Sequence, residues 1–253
     1  MDKLRIAGRN VGPGEPLWVI AEIGSNHNGD MKLARRLVDA AQEAGADAVK
    51  FQSWSKDSLV SRAEYARNTR YAQLDPSALT LEQAVEKYQF TPDQHREMAA
   101  YCRQRGITFF SSCFSAREVE LLESLDVPAY KIASMDVNHL PLLDVVARTR
   151  KPVLLSTGMA TLGEIDRALE RLRAGGGGPV ALLHCVSLYP CPPEEVNLRN
   201  IPMLERTFGV PICGERNAPM RICRLRTWKG RTSSKPYSTV PISLGRSCTA
   251  PDS

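Results

Sequence analysis

The sequence predicts an α/β protein, a (β/α)8 barrel of the TIM-barrel type that stops at about seven strands and runs on into a basic, irregular C-terminal tail. Three observations predict it. Short apolar runs begin near residues 18, 46, 107, 129, 152, 180 and 210. Stretches of helical length with one apolar face lie between them, so the strands are expected to be parallel. Polar and charged residues collect where the runs end, which is where a barrel keeps its chemistry.

The elements follow in order. VIAEIG at 19 to 24 is the first strand, and after Asn28-Gly29-Asp30 the segment MKLARRLVDAAQEAGA places Leu33, Leu37, Ala40, Ala41 and Ala44 on one helical face. ADAVKFQ at 46 to 52 is the second strand. Residues 53 to 90 are polar with short helical pieces, too long for an ordinary connection, and such excursions usually carry function or disorder. A helix over 92 to 105 has Asp93 and Glu97 early, Arg103 and Arg105 late, and Gly106 as its stop, before strand ITFFSS. Helices at 116 to 125, 139 to 149, 161 to 173 and near 198 to 208 then alternate with strands AYKIAS, PVLLSTG, VALLHCVS and VPI. An eighth strand would have to come from beyond Ile212. There the sequence carries four prolines and is crowded with Arg, Ser and Thr, so residues 1 to 212 are expected to form the incomplete barrel and 213 to 253 a disordered tail.

Composition narrows the function classes. With 43% hydrophobic and 24% charged residues in 253, the chain has material for a substantial core, and disorder throughout is excluded. The formal charge of +5 is unevenly held: residues 213 to 253 carry eight Lys or Arg against Glu215 and Asp252, while the rest carries 25 basic and 26 acidic residues. The near-neutral body offers no footprint for nucleic acid, and the tail's charges lack aromatic interleaving. No apolar run is long enough for a bilayer and MDKLRIAGRN does not read as a signal peptide, so a cytoplasmic location without a membrane partner is expected. The seven cysteines form no CxxC pair and read as reduced thiols.

The strand exits supply a coherent set of side chains: Glu22 with Ser25-Asn26-His27-Asn28, then Lys50 and Gln52, then Ser111 and Ser112. Lys131, Ser134 and Asp136 follow, then Ser156-Thr157-Gly158, and finally His184, Ser187 and Tyr189. Two lysines and several hydroxyls at one mouth suit a small phosphorylated anion, since ammonium groups supply charge and hydroxyls supply directed donors. His27 serves equally as a turn residue or a binding group. Cys185 and Cys191 lack an adjacent base and read as buried small hydrophobes, and His95 and His139 as surface or packing residues on helices.

VIAEIGSNHNGDMKLARRLVDAAQEAGADAVKFQ, YKIAS, LLSTGM and LLHCVSLYPCPPEEVNL resemble the N-acetylneuraminate (sialic acid) synthase family, over about residues 17 to 212. The resemblance implies condensation of phosphoenolpyruvate with an N-acylated hexosamine, N-acetylmannosamine or its 6-phosphate, aided by a divalent metal, Mn²⁺ or Mg²⁺. It assigns phosphoenolpyruvate to Lys50, Ser112, Lys131, Ser134, Ser156 and Ser187, the amino sugar to Gln52 and Tyr189, and places Glu22 and Asp136 as carboxylates beside the reacting carbons.

The departures are specific. The family follows its seventh strand with a serine-aspartate-histidine-threonine motif and ends its eighth with lysine-histidine-phenylalanine, the two histidines being metal ligands. Here Ile212 leads into Cys213-Gly214-Glu215-Arg216, and no histidine follows His184. Glu22 and His27 are the remaining donors near the mouth, so metal binding is not expected. The family's C-terminal antifreeze-like domain, which reaches over the partner subunit of a homodimer, is expected to be absent as well. The expectation is a synthase-type chain cut short or altered in reading frame after about residue 212, with impaired turnover. A non-catalytic phosphoenolpyruvate-binding or regulatory protein is the alternative.

Overall fold

A computed structural model describes residues 4–12, 14–67, 79–188, 191–213 and 220–224. Among the described residues eight parallel strands form one sheet, with helices between the first seven as the apolar patterning requires. A hairpin of β1 (Leu4–Ile6) and β2 (Arg9–Val11) precedes it. In chain order the sheet strands are β3 (Trp18–Gly24), β4 (Ala48–Ser53), β5 (Thr108–Cys113), β6 (Tyr130–Ile132), β7 (Val153–Ser156), β8 (Val180–Leu183), β9 (Ile212–Cys213) and β10 (Met220–Arg224). Their spatial order is β10-β3-β4-β5-β6-β7-β8-β9. Strands β3 to β9 match the seven runs of the sequence, and the barrel is incomplete as expected: among the described residues β9 and β10 stand at opposite ends of the order.

One element corrects the reading of the tail. Residues Met220–Arg224 pair in parallel with Trp18 to Glu22, so the basic segment supplies an eighth strand. The first strand of the sheet otherwise has a free edge, and any five-residue segment within reach satisfies it through backbone hydrogen bonds whatever its composition. The remainder of the tail, from 225 on, lies outside the described residues. The N-terminal hairpin was not anticipated. Leu4, Ile6 and Val11 are buried in the main core, and Arg9 pairs with Asp47, the residue before β4, which fixes the hairpin at the N-terminal ends of the strands.

Helices start where local chemistry dictates. Helix α1 (Met31–Glu43) is capped by Asp30, whose carboxylate accepts from the N–H groups of Lys32 and Leu33. Its buried stripe is Ala34, Leu37, Val38 and Ala41, whereas Ala44 is an exposed C-cap. The expected face was therefore rotated by about one position, because burying the branched Val38 removes more apolar area from water than burying Ala44. The excursion from 53 to 90 holds α2 (Lys56–Leu59), α3 (Arg62–Arg67) and α4 (Leu81–Tyr88), with 68 to 78 outside the described residues. It builds a satellite cluster of Trp54, Val85 and Phe114 beyond the ends of β4 and β5. Helices α5 (Pro92–Gln104) and α8 (Leu162–Ala174) carry reciprocal capping boxes, Thr91 with Gln94 and Thr161 with Glu164. Between them lie α6 (Ala116–Ser124) and α7 (Leu140–Arg148), and α9 (Asn200–Phe208) precedes β9. No helix among the described residues is long and apolar enough to cross a membrane.

Candidate functional site

Strand register brings the polar exits together. Glu22 lies opposite Lys50, Gln52 opposite Ser112, and Ser112 opposite Lys131. A register irregularity between Glu22 and Gly24 turns the first exit, a device common where a sheet must re-aim a side chain. Lys50 is 3% exposed, and its ammonium has three partners: Nζ lies 2.9 Å from Glu22 Oε2 and donates to Ser112 Oγ at 3.0 Å and to the Phe51 carbonyl at 3.2 Å. The second Glu22 oxygen, Oε1, is buried without a partner. Gln52 is close by, since a Cβ placed on Gly24 would lie 3.0 Å from Glu22 Oε1 and 3.4 Å from Gln52 Oε1.

Lys131 is held differently. It is 7% exposed, and its one hydrogen bond among the described residues goes to the Ile132 carbonyl at 2.9 Å. No carboxylate lies within ion-pair distance of it among those residues. Burial, then the field of Lys50, pulls it down to about 8, with Cys185, Glu22 and Asp136 acting in the opposite sense. Lys131 thus sits in one electrostatic neighbourhood with the other exits.

Hydroxyls complete the ring. Gly158 N–H donates to Ser134 Oγ at 3.0 Å, and a Cβ on Gly158 would come within 2.8 Å of Ser187 Oγ and 3.0 Å of Ser134 Oγ. A glycine is needed there so that the hydroxyls of two strand exits can close on a third. Ser156 is buried and accepts from the Cys185 thiol at 3.4 Å. That contact corrects the reading of Cys185 as a plain core residue: it is half-buried and faces the site. Tyr189 lies outside the described residues. The other nine predicted site residues converge on the C-terminal mouth.

Asp136 is 7% exposed, and its Oδ2 has no partner. Burial pushes it up to about 6, against the pull of His139 and Lys131. His139 is the N-cap residue of α7, with Nδ1 3.6 Å from Asp136 Oδ1. It belongs to this corner of the site rather than to the helix surface, and its spacing three residues after a strand-end carboxylate was the available signal.

His27 resolves toward the turn. Its ring stacks on Phe90 at 3.9 Å between centroids, its Nδ1 accepts from the Gly29 N–H at 3.0 Å, and burial brings it down to about 4. His95 is a packing residue: buried Nε2 lies 2.8 Å from Ser53 Oγ, which is 2.7 Å from Ser111 Oγ, and Nδ1 donates to the Thr91 carbonyl. His184 Nε2 donates to the Val196 carbonyl at 2.7 Å. With Glu22 paired to Lys50 and His27 committed to its turn, these donors do not fit a divalent metal. Among the described residues no cluster of three His, Cys, Asp or Glu is placed to hold one.

Comparison with known proteins agrees with this geometry. The NeuB family profile matches residues 37–214. An uncharacterized protein of Methanocaldococcus jannaschii is 42% identical over 212 residues, covering 84% of this chain and 58% of that protein. The N,N'-diacetyllegionaminic acid synthase of Campylobacter jejuni is 38% identical over 200 residues, covering 77% of this chain and 58% of its own length. The chain thus spans somewhat more than half of these curated relatives. Among solved structures, the N-acetylneuraminic acid (sialic acid) synthetase of Leptospira borgpetersenii in complex with citrate superposes with a TM-score of 0.76 at 27% identity, covering 88% of this chain and 78% of that one. A strand-end mouth of this composition, a profile match over most of the barrel and relatives of this similarity have one conclusion: the chain belongs to the NeuB family.

Proposed function

We propose that this chain binds phosphoenolpyruvate and condenses it with an N-acylated hexosamine, N-acetylmannosamine or its 6-phosphate, to give a sialic or related nonulosonic acid and phosphate. Turnover is impaired, because the segment after Ile212 lacks the histidines that the resemblance assigns to the metal. One observation carries the reading: a buried ammonium, Lys131, has no carboxylate partner among the described residues and stands beside a second lysine within a ring of hydroxyls. Such a group is stabilised by an anion that brings several negative charges into the same site.

In this reading Lys50 and Lys131 hold the phosphate and carboxylate charges, and Ser112, Ser134, Ser156 and Ser187 direct hydrogen bonds to their oxygens. Gln52 faces the amino sugar, a part the resemblance assigns to Tyr189 as well. Carbon 3 of the enol attacks the open-chain aldehyde, and water meets the cation left at carbon 2. Asp136, ionised above about pH 6, accepts the proton of that water, while Glu22 orients Lys50. A divalent metal is expected from the resemblance, but the described donors do not fit it.

The second reading, a phosphoenolpyruvate-binding protein without turnover, is favoured by the commitment of Glu22 to Lys50 and of His27 to its turn, which engages both donors near the mouth. Calorimetry with phosphoenolpyruvate, alongside phosphate release with N-acetylmannosamine and Mn²⁺, separates the two. Saturable binding with slow phosphate release that requires both substrates is the expected result. Binding without release at any metal concentration selects the second reading, and no binding removes both.

The same site carries a pH prediction. Lys131 falls below its ordinary value, so it is an ammonium below about pH 8 and loses its charge above it. Phosphoenolpyruvate affinity is therefore expected to be flat on the acid side of pH 7.5 and to weaken as pH rises through 8. Lys131→Met should bind weakly and without that dependence. An affinity that holds constant to pH 9.5 would show that Lys131 does not meet the ligand.

A further inference from the structure

Asp136 ends the short turn Ser134–Asp136 that follows β6, and His139 begins α7. The His139 N–H donates to the Asp136 carbonyl at 2.9 Å, which closes the three intervening bonds into a fixed turn and carries the imidazole to the carboxylate. Nδ1 then stands 3.6 Å from Oδ1, one small adjustment from a hydrogen bond. The two partners differ in environment. The Asp136 side chain is 10% exposed and Oδ2 faces inward without a partner, whereas the His139 side chain is 43% exposed. The other charged groups felt by Asp136 are Lys131 on β6 and Glu118 on α6. Lys131 is buried and donates to a backbone carbonyl, and Glu118 is a buried carboxylate, so neither exchanges protons readily with bulk water.

We propose that His139 is the proton outlet of Asp136: it takes the proton that the carboxylate removes from the attacking water and passes it to solvent. This rests on the condensation reading above. Water forms its bond to carbon 2 and gives one proton to the Asp136 carboxylate. The carboxylic acid hands that proton to the lone pair of Nδ1 as the proton on Nε2 leaves to bulk water, and rotation of the half-exposed ring resets the pair. The overall balance is unchanged. One proton of the consumed water ends on the hydroxyl formed from the aldehyde oxygen and the other on the released phosphate, and both come through exchange with solvent. His139 is thus a positioning and relay residue, not one that touches substrate.

Two measurements on the full chain test it. The first needs no turnover: the carboxyl of Asp136 is titrated by NMR in the wild type and in His139→Asn. Loss of the imidazole is expected to move the Asp136 midpoint up, and an unchanged midpoint overturns the contact. The second is phosphate release by His139→Asn, which keeps a residue able to cap α7. Its kcat is expected to drop about tenfold or more with the KM for phosphoenolpyruvate unchanged, to recover on adding imidazole, and to show its acid limb at higher pH. A drop without imidazole rescue and without a shifted limb would assign His139 a purely structural role and overturn the proposal. A wild type that binds phosphoenolpyruvate but releases no phosphate overturns the condensation reading and this relay with it, while a shifted Asp136 midpoint would still establish the coupled pair.

Discussion

Lys50→Met is expected to abolish phosphoenolpyruvate binding and to cost about 3 kcal/mol of folding stability at neutral pH. The substitution keeps the length and apolar stem of the side chain but removes the ammonium 2.9 Å from Glu22 Oε2. Glu22 already has one buried oxygen without a partner, so its charge would be left uncompensated in a site of low dielectric. Ser112 Oγ and the Phe51 carbonyl lose their donor at the same time. The double variant Lys50→Met with Glu22→Gln should recover most of the stability and none of the binding, because it removes the stranded charge without restoring the cation. Denaturant unfolding and calorimetry read the two effects separately. A single variant as stable as the wild type would show that the Glu22–Lys50 pair is not what holds this end of the sheet together.

Gly29→Ala should destabilise the chain by at least about 3 kcal/mol. Gly29 has φ +77°, and a Cβ there would overlap the carbonyl oxygen of Lys87 in the last turn of α4. That oxygen is backbone, held by its helix, and has little freedom to retreat. The Gly29 N–H is also the donor to His27 Nδ1, so the shift would disturb the ring stacked on Phe90. Gly45→Ala is the control, with φ +80° and open space around the added carbon. It should cost only the ordinary penalty of a left-handed alanine, about 1 kcal/mol. Equal losses in the two variants, measured by thermal unfolding, would show that the contact with α4 is not tight.

The sequence by itself determined what depends on neighbours along the chain. Alternating apolar runs and amphipathic stretches gave seven of the sheet strands and their helices, and the caps at Asp30, Thr91 and Thr161 act within one helical turn. Nine exit residues were legible because a strand's end is itself a local feature, and the barrel rule then gathers all such ends at one mouth. Tertiary structure decided the rest. Met220–Arg224 becomes a strand only because β3 offers an edge, and Leu4–Val11 becomes a hairpin only because its apolar side chains find the core. Register sets Glu22 against Lys50 and, among the described residues, leaves Lys131 without a carboxylate at ion-pair distance, although the sequence presents the two lysines alike. His27 takes the turn role of the two open to it, and His139, expected on a helix surface or in packing, is brought to Asp136. Each of these depends on burial and on groups distant in sequence. Burial and long-range contacts fix the free energy of a charge or a strand edge, and local propensity carries no record of them.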